Sequence, residues 1–188
     1  MKQAFYGNTV LEWAIALGVI LLSVLLGKVV YWLFSKVVRA FTGRTKSKLD
    51  DLIVDMIEEP VVFTIIVTGI WIGLNLLKLP QGLETTIDNA YQIIIALLVG
   101  WMLTRLFQAV YEEYLLPWAN KTENDLDDQL MPILGKGVKM MIWVLALLIG
   151  LNNAGYDINA LIAGLGIGGL ALAMAAKDTV SNIFGGVT

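Results

Sequence analysis

The stretch NALIAGLGIGGLALAMAAKDTVSNIFGGVT, residues 159 to 188, decides the fold of this chain. It is apolar enough to cross a membrane, yet it is built largely from Gly and Ala rather than from the Leu, Ile and Val of a helix that only faces lipid. Gly and Ala let two helix backbones approach closely, which is how membrane helices pack. The stretch therefore predicts a membrane helix that packs against other helices on more than one side.

A helical wheel divides this stretch into two flanks of small residues, a narrow stripe between them, and an opposite face of Leu161, Leu165 and Leu172. One flank is Gly164, Gly168, Ala171 and Ala175, the other is Gly169, Ala173 and Ala176, and the stripe is Ala163, Gly166, Ile167, Leu170, Met174, Lys177 and Ser181. A helix with two small flanks can pack a copy of itself on each side, and such a contact closes a ring when the rotation allows it. The stripe then faces the axis. The alternative is a Gly-rich helix buried among helices of its own chain, as in transporters.

The composition predicts an all-α integral membrane protein. The 188 residues are 57% hydrophobic with a mean hydropathy of +0.74, which is too apolar for a soluble domain. Five segments approach or exceed the ~20 residues that a membrane helix needs. They are Leu11–Phe34, Val61–Leu79, Tyr91–Tyr111, Ile133–Leu151 and Ile158–Ser181.

The distribution of basic residues predicts the topology. Only Lys2 precedes the first segment, whereas Lys28, Lys36 and four further basic residues lie near its end or follow it. The positive-inside rule then places the N-terminus outside and the C-terminus inside. Alternation along the chain leaves only Lys2 and Lys78 outside.

The residue types exclude several classes of function. The chain has no Cys and no His, and it shows no nucleophile–base set, so no catalytic residue, cofactor, metal site or nucleic-acid partner is predicted. The motif GLGIGG at 164–169 lies inside an apolar span and lacks the βαβ setting of a dinucleotide loop. No ionisable residue lies near the middle of a predicted span, which argues against an ion-coupled transporter.

A weak internal repeat organises the first four helices. Leu49-Asp50-Asp51 recurs as Leu126-Asp127-Asp128, and Lys28 and Arg105 occupy matching places at inner helix ends. Both basic residues either reach the headgroups or only mark topology. The segments before helices two and four are either surface-lying elbows or ordinary acidic loops, and Pro60 marks a bend or boundary. We expect segments 1–60, 61–132 and 133–157 to hold helices one to four as a lipid-facing paddle, with 158–188 as the fifth helix; Asn153 or Asp157 caps that helix.

The segment GIGGLALAMAAKDTVSNIFGGV resembles the pore-lining helix of the small-conductance mechanosensitive channel (MscS) family, five-helix type. The shared features are the Gly/Ala alternation, Leu170 and Met174 one turn apart, and the polar break before Ser181 and Asn182. The resemblance implies a homo-oligomeric, sevenfold ring in a prokaryotic inner membrane. It implies gating by membrane tension and release of ions and small osmolytes on hypo-osmotic shock, with membrane lipids and other copies of the chain as partners.

Within that resemblance, Leu170 and Met174 are expected to form the constriction, and Lys177 and Asp178 a charged ring at the inner mouth. Asp178 stands where the family often has a kinking Gly, so the bend is expected at Gly185 or Gly186 instead. The family's soluble cytoplasmic domain is expected to be absent from this chain. The alternatives are a secondary transporter with a Gly-broken substrate site in helix five, or a membrane scaffold.

Overall fold

A computed structural model describes residues 4–5, 7–38, 48–119 and 125–185, with the side chains of 7–36, 56–117, 131–178 and 181. It contains five helices that are long and apolar enough to cross a membrane, which confirms the predicted fold class. These helices are α1 (Val10–Trp32), α2 (Lys48–Asn75), α3 (Gln81–Val110), α5 (Asp125–Asn153) and α6 (Asn159–Gly185). A short α4 (Leu116–Ala119) follows α3, and two π-helical segments are present, π1 (Leu33–Val38) and π2 (Tyr111–Leu115).

Two features at the start of the chain fix α1, and neither was predicted. A two-stranded antiparallel hairpin, β1 (Ala4–Phe5) and β2 (Asn8–Thr9), turns at Gly7, whose positive φ of 81° favours glycine. Thr9 and Glu12 then form a capping box: the Glu12 N–H donates to Thr9 Oγ1 at 3.2 Å, and the Thr9 N–H donates to the Glu12 carboxylate at 2.6 Å. The helix therefore begins with its first N–H groups satisfied.

Helix α2 runs through Pro60 without a break, so of the predicted bend or boundary at Pro60 the boundary is wrong, and the bend stays a prediction. Pro132 likewise lies inside α5. Proline removes one helical hydrogen bond, but membrane helices tolerate it because neighbouring groups satisfy the freed backbone. The two predicted elbows are thus largely continuous with the helices that follow them, while residues 39–47 and 120–124 of these regions lie outside the described residues.

Small residues hold α1 against α2 and α3 against α5. A Cβ added at Gly69 of α2 would lie 2.0 Å from Ser23 Cβ of α1, and one added at Gly100 of α3 would lie 2.5 Å from Ala146 Cβ of α5. Such distances leave no room for any side chain at either glycine. We call α1 with α2 the first hairpin and α3 with α5 the second hairpin.

The two hairpins are copies of one unit at an interval of 77 residues. The tetrapeptide Ile-Gly-Leu-Asn occurs at 72–75 and again at 149–152, the same interval that separates the two Leu-Asp-Asp motifs. The Ser23–Gly69 contact and the Gly100–Ala146 contact are also equivalent at this interval. The structure therefore supports the internal duplication that the three-residue match indicated.

The outer surfaces of the two hairpins repeat as well. An apolar groove of about 410 Å³ on the second hairpin includes Gly100, Leu103 and Ala146 in its lining. A groove of about 380 Å³ on the first hairpin is lined by the equivalent positions, among them Ser23, Leu26 and Gly69. Both grooves lie within the spans.

A polar and aromatic cluster joins the hairpins along the α2–α3 contact. The Trp71 indole N–H of α2 donates to Asp88 of α3 at 2.7 Å, and the Trp71 ring stacks on Tyr91 with 4.5 Å between ring centroids. Thr68 and Tyr91 share a hydrogen bond of 3.3 Å between their hydroxyl groups. Residues 1–154 form one compact unit and residues 155–188 a second.

Candidate pore-lining helix

Helix α6 is one unbroken helix from Asn159 to Gly185. Asp157 accepts a hydrogen bond of 2.9 Å from the Asn159 N–H, so Asp157 rather than Asn153 satisfies the start of this helix. The helix continues through Asp178, in line with the absence of a kinking Gly there. Of the two bend candidates, Gly185 is the last helical residue, and Gly186 lies outside the described residues.

The unbroken helix keeps the faces that the helical wheel assigned. Within its own unit α6 is a single element, so its small flanks and its stripe have no partner there. A Cβ added at Gly164, Gly166, Gly168 or Gly169 would meet no atom within 4 Å in the described part of the chain. In the hairpins, by contrast, a side chain of the neighbouring helix occupies the space beside Gly69 and beside Gly100. The flanks of α6 therefore have the composition of a helix–helix contact without its second helix.

The largest side chains of the stripe are exposed on this single helix: Ile167 by 72%, Leu170 by 64% and Met174 by 70%. No ionisable residue occurs from Asn159 to Ala176. The first charges are Lys177 and Asp178, which are both exposed, and Ser181 is exposed one turn further on. The helix thus presents an apolar surface that ends in a charged and polar band.

Arg105 and Lys28 differ, although they occupy equivalent places in the two hairpins. Arg105 forms an ion pair with Glu59 of α2, and its guanidinium lies 5.4 Å from the Trp101 ring centroid. Lys28 is exposed. A headgroup contact stays a prediction for both residues.

The sequence did not predict two polar contacts. One depends on where α3 begins, and the other joins residues that are far apart in the sequence. Asp88 precedes the predicted third span, yet α3 begins at Gln81, so Asp88 lies inside the helix. Asn8 is fully buried and binds the backbone of Lys78 twice: its amide donates to the Lys78 carbonyl at 3.1 Å, and its side-chain oxygen accepts from the Lys78 N–H at 2.7 Å. No local sequence signal pairs residues 8 and 78.

Several known proteins are similar to this chain. Residues 136–177, which cover most of α5 and most of α6, match the family model described as "Mechanosensitive ion channel, transmembrane helices 2/3". The whole chain is 34% identical to the small-conductance mechanosensitive channel MscMJ of Methanocaldococcus jannaschii, of which it covers 53%. Over its whole length the chain is similar to MscS-family channels. It is also 35% identical to the large-conductance mechanosensitive channel MscMJLR of the same organism, covering 52% of that protein.

A further relative is the uncharacterized MscS family protein YhdY of Bacillus subtilis, at 29% identity over the whole chain and 50% of the relative. The chain thus spans about half the length of the curated relatives it matches. No solved structure matches it significantly. Five helices long and apolar enough to cross a membrane, together with the similarity to MscS-family proteins, make this a multi-pass integral membrane protein.

Proposed function

We propose that this chain is the pore-forming part of a mechanosensitive ion channel that opens under membrane tension. The observation that carries the proposal is α6: a single membrane helix with two small flanks and, between them, an exposed stripe that is apolar as far as Ala176. The names of the relatives support a channel and do not favour the transporter alternative.

The two small flanks support assembly of α6 helices into a ring around an axis. Gly164, Gly168, Ala171 and Ala175 of one copy would lie against Gly169, Ala173 and Ala176 of the next. Because the two surfaces differ, the contact is heterologous, and repetition closes a ring. The family resemblance favours seven copies in the prokaryotic inner membrane, and image classes of the purified particle would give the number.

Leu170 and Met174 would form the constriction in such a ring, with Ala163, Gly166 and Ile167 lining the wider path outside it. They are large, apolar and one helical turn apart, so each contributes a ring of hydrocarbon. A narrow apolar constriction empties of water and blocks ions. Tension favours the state that occupies more membrane area, since any agent favours the state with which it interacts better.

Lys177 and Asp178 would form a charged ring where α6 leaves the apolar region, followed by Ser181. Lysines of neighbouring copies repel one another across a closed ring. Asp178 offsets this repulsion if it lies beside Lys177 of the next copy. Helices α1 to α5 form the lipid-facing paddle in this proposal, Lys28 and Arg105 lie near inner headgroups, and a bend at Gly185 or Gly186 follows the pore. Release of ions and small osmolytes on hypo-osmotic shock is the expected role.

Patch recording under graded suction tests the proposal. We expect Leu170→Ser to lower the threshold tension, because a hydroxyl hydrates the constriction. Leu172→Ser is the matched control: its side chain is also exposed on α6, by 72%, but it lies on the opposite face. Equal thresholds for the two variants would refute the assignment of Leu170 to the pore.

The charged ring and the flanks have their own tests. Lys177→Glu should shift the reversal potential in a salt gradient toward cation preference, whereas Lys78→Glu, at the far end of the paddle helices, should not. Gly168→Leu should prevent close approach of neighbouring α6 helices and abolish the assembled particle. Normal assembly with normal currents in the Gly168 variant would contradict the ring contact.

A further inference from the structure

The two π-helical segments lie at equivalent places in the two hairpins. Shifted by 77 residues, π1 (Leu33–Val38) covers 110–115, which includes all of π2 (Tyr111–Leu115). The interval of 77 residues holds on both sides of these segments. Ser23 and Gly100 show it before them, and the two Ile-Gly-Leu-Asn motifs show it after them. Each copy therefore keeps the same number of residues through its π segment.

A π segment holds one residue more per turn than the α-helix around it, and such segments are rare and frequently functional. At the end of π2, the Leu116 N–H donates to the carbonyl of Tyr111, five residues earlier. An α-helix would pair Leu116 with Glu112 instead. A change from π-helical to α-helical pairing replaces one backbone hydrogen bond by another. The free-energy difference between the two pairings is therefore small, and contacts with neighbouring residues determine which pairing is favoured.

The start of π2 and the helical turn before it are held by contacts with α5. The Tyr111 side chain is buried, and its ring atoms lie 2.9 and 3.0 Å from the place where a Cβ on Gly135 of α5 would stand. Lys139 of α5 donates to the Gln108 side-chain oxygen at 3.1 Å, and the Gln108 amide donates to Glu112 at 2.7 Å. These contacts attach the last turn of α3 and the first residues of π2 to α5.

The side chains at the end of π2 are less restrained, since Tyr114 is exposed by 48% and Leu115 by 38%. In π1, Leu33 is exposed by 41%, the Ser35 hydroxyl donates to the Trp32 carbonyl at 3.2 Å, and the Lys36 ammonium lies 5.8 Å from the Trp32 ring centroid. The segment also packs against α2. Both segments thus follow a spanning helix and carry partly exposed side chains.

We propose that π1 and π2 are matched register-shift points, at which each hairpin exchanges π-helical for α-helical bonding when membrane tension rises. The inference rests on the proposed function. Passing one residue through such a segment rotates the chain beyond it by about 100° and moves it by roughly 1.5 Å along the axis. The paddle can then turn its ends while the Gly69–Ser23 and Gly100–Ala146 contacts stay in place. Because the segments are equivalent, both hairpins turn in the same sense.

Single-residue deletions test the proposal, because removing the extra residue leaves an α-helix with the rest in register. We would delete Ser35 from π1, Glu113 from π2, and both together. The matched control deletes Val24 from the α-helical part of α1, which rotates everything after it out of register. We expect the π-segment deletions to assemble with thermal stability near that of the parent, and the Val24 deletion to lose assembly.

In patches under suction we expect each π-segment deletion to raise the threshold tension, and the double deletion to raise it further. Deletion variants that assemble and open at the parent threshold would overturn the inference. Failure of the π-segment deletions to fold, to the same degree as the Val24 deletion, would also overturn it, because the extra residue would then be an integral part of the packing. A parent protein that gives no tension-dependent current would instead refute the proposed function.

Amide hydrogen exchange on the unaltered protein gives a reading that does not depend on deletions. We would compare liposomes with and without lysophosphatidylcholine, which loads one leaflet and mimics tension. The expected result is faster exchange at 33–38 and 111–116 together, with little change in α1 before Trp32 or in α3 before Val110. Unchanged exchange in both segments, under conditions that open the channel, would contradict the register shift.

Discussion

Replacing Gly69 by Ala tests the packing that holds the first hairpin together. The new Cβ would lie 2.0 Å from Ser23 Cβ and 2.2 Å from Ser23 Oγ, whereas ordinary contact begins at 3.4 Å. Ser23 Cβ is fixed to its backbone and cannot rotate away, so the two helices must separate by about 1.4 Å, the difference between 3.4 and 2.0 Å.

The magnitude follows from two opposing effects. Overpacking of a tight contact costs about 1–3 kcal/mol, and this site lies at the upper end because no flexible atom can yield. Alanine is favoured over glycine inside a helix by about 1 kcal/mol. The net loss is about 2 kcal/mol, which lowers the unfolding temperature by about 4–8 °C at the 2–4 °C per kcal/mol typical of this chain length.

The second hairpin supplies the compensating change. Its equivalent positions carry Gly100 on the first helix and Ala146 on the second, the reverse of Ser23 and Gly69. Ser23→Gly combined with Gly69→Ala should therefore recreate the second arrangement and recover most of the lost stability. The coupling free energy of the double-mutant cycle should be about 1–3 kcal/mol.

The assay is thermal unfolding of the detergent-solubilised protein for the parent, the two single variants, the double variant and Gly18→Ala. Gly18 lies on the same hairpin, but its Cβ would meet nothing within 4 Å, so this control should be neutral or stabilising by about 1 kcal/mol. A Gly69→Ala variant as stable as Gly18→Ala, or one that Ser23→Gly does not rescue, would contradict the close contact between Ser23 and Gly69.

Three further variants test contacts of the paddle by the same thermal measurement. Asn8→Ala removes both hydrogen bonds to the Lys78 backbone from a fully buried site, so we expect the free energy of unfolding to fall by about 1–3 kcal/mol. Asn153→Ala, at an exposed residue, is the control and should cause no change. Trp71→Phe keeps the ring stacked on Tyr91 but removes the 2.7 Å bond to Asp88, and a bond to a charged group is worth about 1.5–3 kcal/mol; a stability equal to the parent would show that the bond adds nothing. Gly135→Ala should displace the Tyr111 ring and lower the free energy of unfolding by about 1–3 kcal/mol, whereas Gly137→Ala, with open space around it, should not destabilise the protein. Equal effects of the two variants would contradict the close contact between Gly135 and Tyr111.

The sequence by itself determined the class of protein and the helix that matters most. Apolar segments of membrane length specify the five spans, because backbone groups in lipid must be satisfied within each helix. The periodicity of Gly and Ala in 159–188 specified the faces of α6, since a continuous helix fixes which residues share a face. The family motif is read from the same segment. These inferences need only local spacing, and for that reason they did not depend on tertiary contacts.

Only the tertiary structure decided how the hairpins are built. Whether Pro60 ends a helix depends on what packs around it, and the structure shows a helix that continues through it. The Asn8–Lys78 clamp joins residues 70 positions apart, and the Trp71–Asp88 bond depends on where α3 begins. The sequence shows the duplication as two short repeated motifs, Leu-Asp-Asp and Ile-Gly-Leu-Asn. Its physical basis, a close contact of small residues in each hairpin and a π segment at the same place, required coordinates. Contacts between distant segments are set by the packing of whole helices, which no local pattern encodes.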